Sequence, residues 1–196
     1  MASSTQIVNM ALLKVGHGPL ISLDLDESEV AVTARAVYDL CLDDMLAAHP
    51  WNFANQRVSL PQLTYTQVGD AWTYAYQLPN DCLRVHSVEP LGAQFEINGR
   101  VLLCNLAPPA VVTYMRRESD TTMFTPLFSM ALVYRLAMEF STTLSARDTH
   151  TSNFTQQYFG KLQEAKAADG QEEGPRYEDD NPLAAQRRWY DEEGTF

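Results

Sequence analysis

Four histidines, His17, His49, His86 and His150, are the chain's candidates for proton transfer and metal binding. They lie far apart, and no HxxxH or HExxH spacing exists to hold a metal on a helix face. Cys41, Cys82 and Cys104 contain no CxxC pair. An odd, widely spaced set fits neither a zinc site nor a disulfide framework and points to a reducing compartment. Cys41 falls on an apolar helical stripe and is expected to be a core thiol rather than a nucleophile. The run Asp24-Leu25-Asp26-Glu27-Ser28 opens like a calcium loop but has Glu29 where Gly is needed and Arg35 where Glu is needed, so a helix start accounts for it better. The pairs Asp43/Asp44 and Glu172/Glu173 resemble acid/base dyads, yet nothing in the sequence desolvates one carboxyl to tune it. GxSxG, GxxxxGK[ST] and GxGxxG are all missing. The chain is therefore expected not to be an enzyme, and to have no catalytic residue, no cofactor and no metal.

Two basic clusters remain. One is Arg116-Arg117; the other, Arg187-Arg188, stands beside Trp189 and Tyr190. Arginine next to aromatic rings suits a docking surface, because these residue types dominate interface hot spots. Arg187, Arg188, Trp189 and Tyr190 are the candidate partner-binding residues. Across 196 residues, 14 Lys+Arg against 25 Asp+Glu leave a net charge of −11. That balance excludes a generally basic nucleic-acid binder, which needs clustered cations to neutralise phosphate. Hydrophobic residues at 45% and charged residues at 20% are those of an ordinary soluble globular protein. Met1 to Gly16 lacks a basic signal-peptide start, and the uncharged stretch Thr121 to Tyr134 holds Pro126 and is too short to span a bilayer. A soluble intracellular product without membrane contact is expected.

The elements that must carry these residues are read from periodicity. Val8, Ala11, Leu12 and Val15 predict a first helix from Ser4 to Val15, stopped by Gly16, Gly18 and Pro19. A second helix starts near Asp26 to Glu29, capped by Ser28 or Asp26, and runs to Ala48. Its stripe is Val30, Ala34, Val37, Cys41, Met45 and Ala48, with Arg35, Asp39 and Asp43 facing away, and Pro50 ends it. From Asn52 to Arg117 the texture is that of strands: 72–78, 82–88, 94–97, 100–103 and 110–115. Asn98-Gly99 predicts a type I′ hairpin turn. Beyond Pro126 a helix apolar on most sides predicts a central core element. A fourth helix, capped within Asp148 to Ser152 and marked by Phe154, Tyr158, Leu162 and Ala165, closes at Gly170. Residues 171–196 turn acidic and carry Pro and Gly, so an extended tail is expected.

The predicted class is α+β, mainly α: a four-helix bundle with a small antiparallel β insertion and an extended C-terminal tail. Residues 1–51 and 118–170 would form the bundle, 52–117 the insertion and 171–196 the tail. His49, Pro50, Trp51 and Phe53 would break the second helix, plug the bundle end and act as a structural hinge.

The runs Ile7-Val8-Asn9-Met10-Ala11-Leu12, the Gly16–Pro19 turn, the acidic helix start and His49-Pro50-Trp51-Asn52-Phe53-Ala54 resemble those of bacteriophage head-to-tail adaptors. Tyr74 to Val85 and the Phe124–Leu136 helix entry extend the likeness over Gln6 to Lys161, leaving the tail unmatched. The family is called tail tubular protein A, or head-completion adaptor, of short-tailed phages. The resemblance implies a structural part of the virion at the head–tail junction, made in the host cytoplasm. It implies a homo-oligomeric ring, typically a dodecamer, joining the portal protein to a tail nozzle or tail tube protein. DNA would pass the lumen without specific binding, and the C-terminal arm would reach into the portal. A tail-completion or terminator protein binding the tail tube is the alternative. A virion-associated wall-degrading enzyme is a third, for which the residues offer no acid/base pair.

Overall fold

A computed structural model describes residues 2–64, 71–143 and 148–172. Helix α1 (Ser4–Lys14) opens with a capping box in which Gln6 N–H donates to Ser3 Oγ and Ser3 N–H to Gln6 Oε1. It closes where His17 N–H reaches Leu12 C=O and Gly16 N–H reaches Leu13 C=O. That pair of bonds needs a left-handed residue, which Gly16 supplies at φ +85°. Helix α2 (Glu29–Ala47) is capped by Ser28, whose Oγ accepts from Ala31 N–H. Asp26 accepts from Ser28 N–H, and this bond holds its carboxyl below the usual range. The buried stripe of α2 is rotated from the expected one: Tyr38, Leu42 and Leu46 are buried, whereas Val30 and Val37 are only half-buried. Helix α3 (Pro126–Thr143) has Pro126 in its first turn and Thr125 Oγ1 accepting from Phe128 N–H. Helix α4 spans Asp148–Glu172.

Among the described residues between α2 and α3 lie six strands: β1 (Asn55–Leu60), β2 (Tyr74–Gln77), β3 (Cys82–Val88), β4 (Phe95–Asn98), β5 (Val101–Cys104) and β6 (Ala110–Arg116). They form two antiparallel sheets of three strands each, ordered β1-β6-β3 and β2-β5-β4. Leu60, Tyr76, Val88, Leu102, Val112 and Tyr114 come from both sheets and share one buried cluster.

The expected four-helix bundle with a small antiparallel β insertion is therefore overturned. A three-stranded sheet must cover its apolar face with a second layer, and here a second sheet does so, giving the β part a core of its own. The helices are organised round one of their number. α3 is apolar on most of its surface, as expected of a central helix, and α1, α2 and α4 each make their main helix contact with it.

Smaller expectations also change. β1, with sequence Asn-Gln-Arg-Val-Ser-Leu, lacks the alternation that marks the other strands, yet it pairs with β6 from Asn55↔Met115 to Leu60↔Ala110. Asn98 pairs with Val101, so the turn residues are Gly99 and Arg100, and only Gly99 has positive φ, at +59°. That glycine-first pattern belongs to type II′, not I′. α4 is already helical at Asp148, and it runs through Gly170 to Glu172, so neither the expected cap position nor the expected stop holds. The rest of the predicted tail, 173–196, lies outside the described residues.

Candidate functional site at the joint between helices and sheets

After α2 the chain must turn sharply, because Pro50 can neither donate a helical bond nor let His49 stay helical. Trp51 folds back under this turn. It is wholly buried, and its indole N–H donates to Met45 C=O at 2.8 Å. Phe53 stacks on Trp51 at 6.1 Å between ring centroids, and both pack on Phe128 of α3 at 5.0 Å. Phe124 adds a ring 4.9 Å from Phe128 and 5.6 Å from Phe53. These distances and tilts are those at which aromatic pairs attract beyond their burial alone.

A carboxylate from α4 clamps the same turn. Asp169 is 4% exposed, yet its oxygens are occupied: Oδ2 lies 3.2 Å from His49 Nε2, and Asn52 N–H donates to Oδ1 at 3.1 Å. Asn52 Nδ2 donates to Asp169 C=O at 2.8 Å. A buried carboxylate persists only when its lone pairs are met in this way. The last carbonyls of α2 are met by cations from two other elements, Arg84 Nη1 on Ala47 C=O at 3.4 Å and Lys166 Nζ on Ala48 C=O at 3.3 Å. Positive charge there complements the helix dipole.

A second clamp ties the sheets to α2. Arg117, just past β6, gives Nε to Asp43 at 2.6 Å and Nη2 to Asp39 at 2.8 Å, one turn apart on α2. Those bonds hold the guanidinium proton more tightly than usual. Leu83 of β3 and Met115 of β6 extend the helical core into this seam.

Of the predicted hinge residues, His49, Trp51 and Phe53 meet in this one cluster, with Pro50 turning the backbone between them. Arg187, Arg188, Trp189 and Tyr190 lie outside the described residues. Two expectations need correction. Asp39 and Asp43 do not simply face away, since Arg117 bridges them. Arg35 is turned inward onto the carbonyls of Leu23, Asp24 and Asp26. The arginines of the β region find partners within the chain: Arg57 pairs with Glu89 and Arg116 with the buried Glu118. Cys41 is buried as expected, and burial pushes its thiol up to about 11.

Sequence reasoning missed Asp169. The signal was present: Tyr158, Leu162, Ala165 and Asp169 follow one another at helical spacing, which puts an acid in line with an apolar stripe.

Chemically, Asp169 and His49 make a carboxylate–imidazole pair of the kind that orients a base. Among the described residues no hydroxyl or thiol hydrogen-bonds to that imidazole. What the arrangement does well is fix the angle at which the chain leaves the helices for the sheets. No protein-family model matches this chain, and no curated protein matches it either.

Proposed function

We propose that this chain is a structural adaptor of a bacteriophage virion, forming a ring that joins the portal to the tail and lets DNA pass through its lumen. The observation that carries the reading is the joint. His49-Pro50-Trp51-Asn52-Phe53, the most distinctive run of the adaptor resemblance, is the segment that α2, α3 and α4 hold through Met45, Phe128 and Asp169. A ring subunit under the load of packaged DNA needs its two parts at a constant angle, so that heterologous contacts close round the ring. The aromatic cluster, Asp169 and the Arg117 bridge supply that constancy.

In this reading the partners are the portal protein, a tail nozzle or tail tube protein, and further copies of the chain. Arg187, Arg188, Trp189 and Tyr190 form the portal-docking anchor. The net charge of −11, repeated round a ring, keeps DNA off the wall within the roughly 8–10 Å that salt permits.

Co-assembly with purified portal rings tests the proposal. The full chain should co-sediment with the portal of its own phage, and Arg187→Ala with Trp189→Ala should reduce attachment while circular dichroism stays unchanged. Binding to tail tubes but not to portals would move the protein to the terminator class. Peptidoglycan cleavage lost on one carboxylate substitution would make it an enzyme.

A further inference from the structure

A cavity of about 130 Å³ opens beside the joint, lined by Ala47, His49, Pro50, Arg84, His86 and Met115. Its floor is apolar, since Met115 is buried. Its walls are not. Arg84 and His86 of β3 both line the cavity, where the strand's register with β6 is irregular, and both are exposed. His49 stands across from them.

Acids outnumber bases 25 to 14 in this chain, and Arg57, Arg116, Arg117 and Arg135 all have carboxylate partners. Arg84 has only a long bond to the Ala47 carbonyl, and His86 has no carboxylate partner among the described residues. Two basic groups beside a small cavity with an imidazole opposite make a recognition surface for carboxylates.

We infer that this pocket receives the acidic run Glu178-Asp179-Asp180 of the same chain. Two observations favour that occupant. The first is position: α4 ends its described course at Glu172, three residues after Asp169, and Asp169 already touches His49 at the cavity wall. Six further residues reach Glu178, and an extended chain covers roughly 20 Å in that length. The second is charge. Residues 173–196 hold seven Asp+Glu and three Arg, and Glu178-Asp179-Asp180 is the first run of three acids after α4. The contact tethers the start of the C-terminal segment beside the joint, leaving Arg187 to Tyr190 free for another partner. It is a property of the isolated chain and stands apart from the adaptor reading.

Zero-length carbodiimide cross-linking tests it in the full-length chain carrying Arg84→Lys, which places a primary amine at the pocket and keeps the charge. Equal amounts of ¹⁴N and ¹⁵N protein are mixed, and linked peptides are read by mass spectrometry. The expected product joins the residue-84 peptide to the peptide holding 178–180, within one isotopic species. Its yield should fall about tenfold in 1 M salt, where screening is short-ranged, and should vanish in the added E178Q/D179N/D180N background. Absence of the link, a link to Asp191–Glu193 instead, or a link found only between isotopic species would each overturn the assignment.

Discussion

The helical and sheet regions keep their interiors closed by different means. The helical core is organised round one element: α3 buries Phe128, Leu132, Leu136 and Phe140, and the other helices dock on it. Its entrance is sealed by four aromatic rings and a buried acid. The sheet core has no such centre. It is a thin shared layer between two sheets, and its hydrogen-bonded edges are tyrosines: Tyr76 Oη donates to Leu106 C=O at 2.7 Å and Tyr114 Oη to Asp81 at 3.2 Å. One region depends on large rings in mutual contact, the other on modest burial finished by hydroxyl bonds. Substitutions should therefore hurt the first through volume and the second through polar chemistry.

The largest effect is expected at the joint. Trp51→Ala removes a wholly buried indole and its bond to Met45, and Phe128→Ala removes the ring all the others touch. Each should lower stability by about 3–5 kcal/mol in urea titrations. If α3 is the organising element, Phe128→Ala should cost at least as much as Trp51→Ala; a loss below about 1 kcal/mol would break the comparison. Next comes Asp169→Ala, which leaves the Asn52 N–H and the His49 ring unmet in a buried turn, at about 1–3 kcal/mol. In the sheets, Tyr114→Phe keeps the volume and loses only the hydroxyl bonds to Asp81 and Gln56, so about 1 kcal/mol is expected.

How far the sequence made these regions legible follows the same division. Helices announce themselves within a dozen residues, so Ser28, Gly16 and Pro126 could be placed as punctuation, and α3 could be recognised as a core helix from its own composition. Sheets are assembled from distant segments. The hairpin of β4 and β5 is visible because Gly99 is local, whereas β1 carries no pattern and is a strand only because β6, far along the chain, offers it a partner. The joint lay between these cases. His49 to Phe53 stood out as a helix break rich in rings. The groups that hold it, Asp169 and Arg84, and Arg117 at the neighbouring clamp, come from other elements; the stripe of α4 marks Asp169 as inward-facing, but nothing near these residues in sequence says which turn they meet.

Alkaline titration sharpens the contrast through its tyrosines. Burial pushes Tyr38 and Tyr114 up to about 12, from 10.0, aided by Asp39 and Asp81 respectively, and Cys41 up to about 11, from 9.0. The unfolded chain gives up these protons first, so the folded state holds more of them and stability falls as pH rises. Full stability from these groups is present below pH 9, and it is lost between 9 and about 12. Unfolding followed across that range should show the decline, and a flat profile would contradict the burial of these groups. The smallest effect at neutral pH belongs to Tyr38→Phe. The Tyr38 hydroxyl is buried with no hydrogen-bond partner among the described residues, so its removal should be neutral or stabilising by up to about 1 kcal/mol. It should also shallow the alkaline decline.

The proposal to be tested is that copies of this chain form a ring at a portal–tail junction. Electron cryomicroscopy of virions containing this chain tests it most directly. The expected result is a closed ring directly below the portal, with helices and sheets meeting in every subunit at the angle set by Trp51 and Asp169. Density for this chain at the distal end of the tail, or virions complete without it, would overturn the adaptor role.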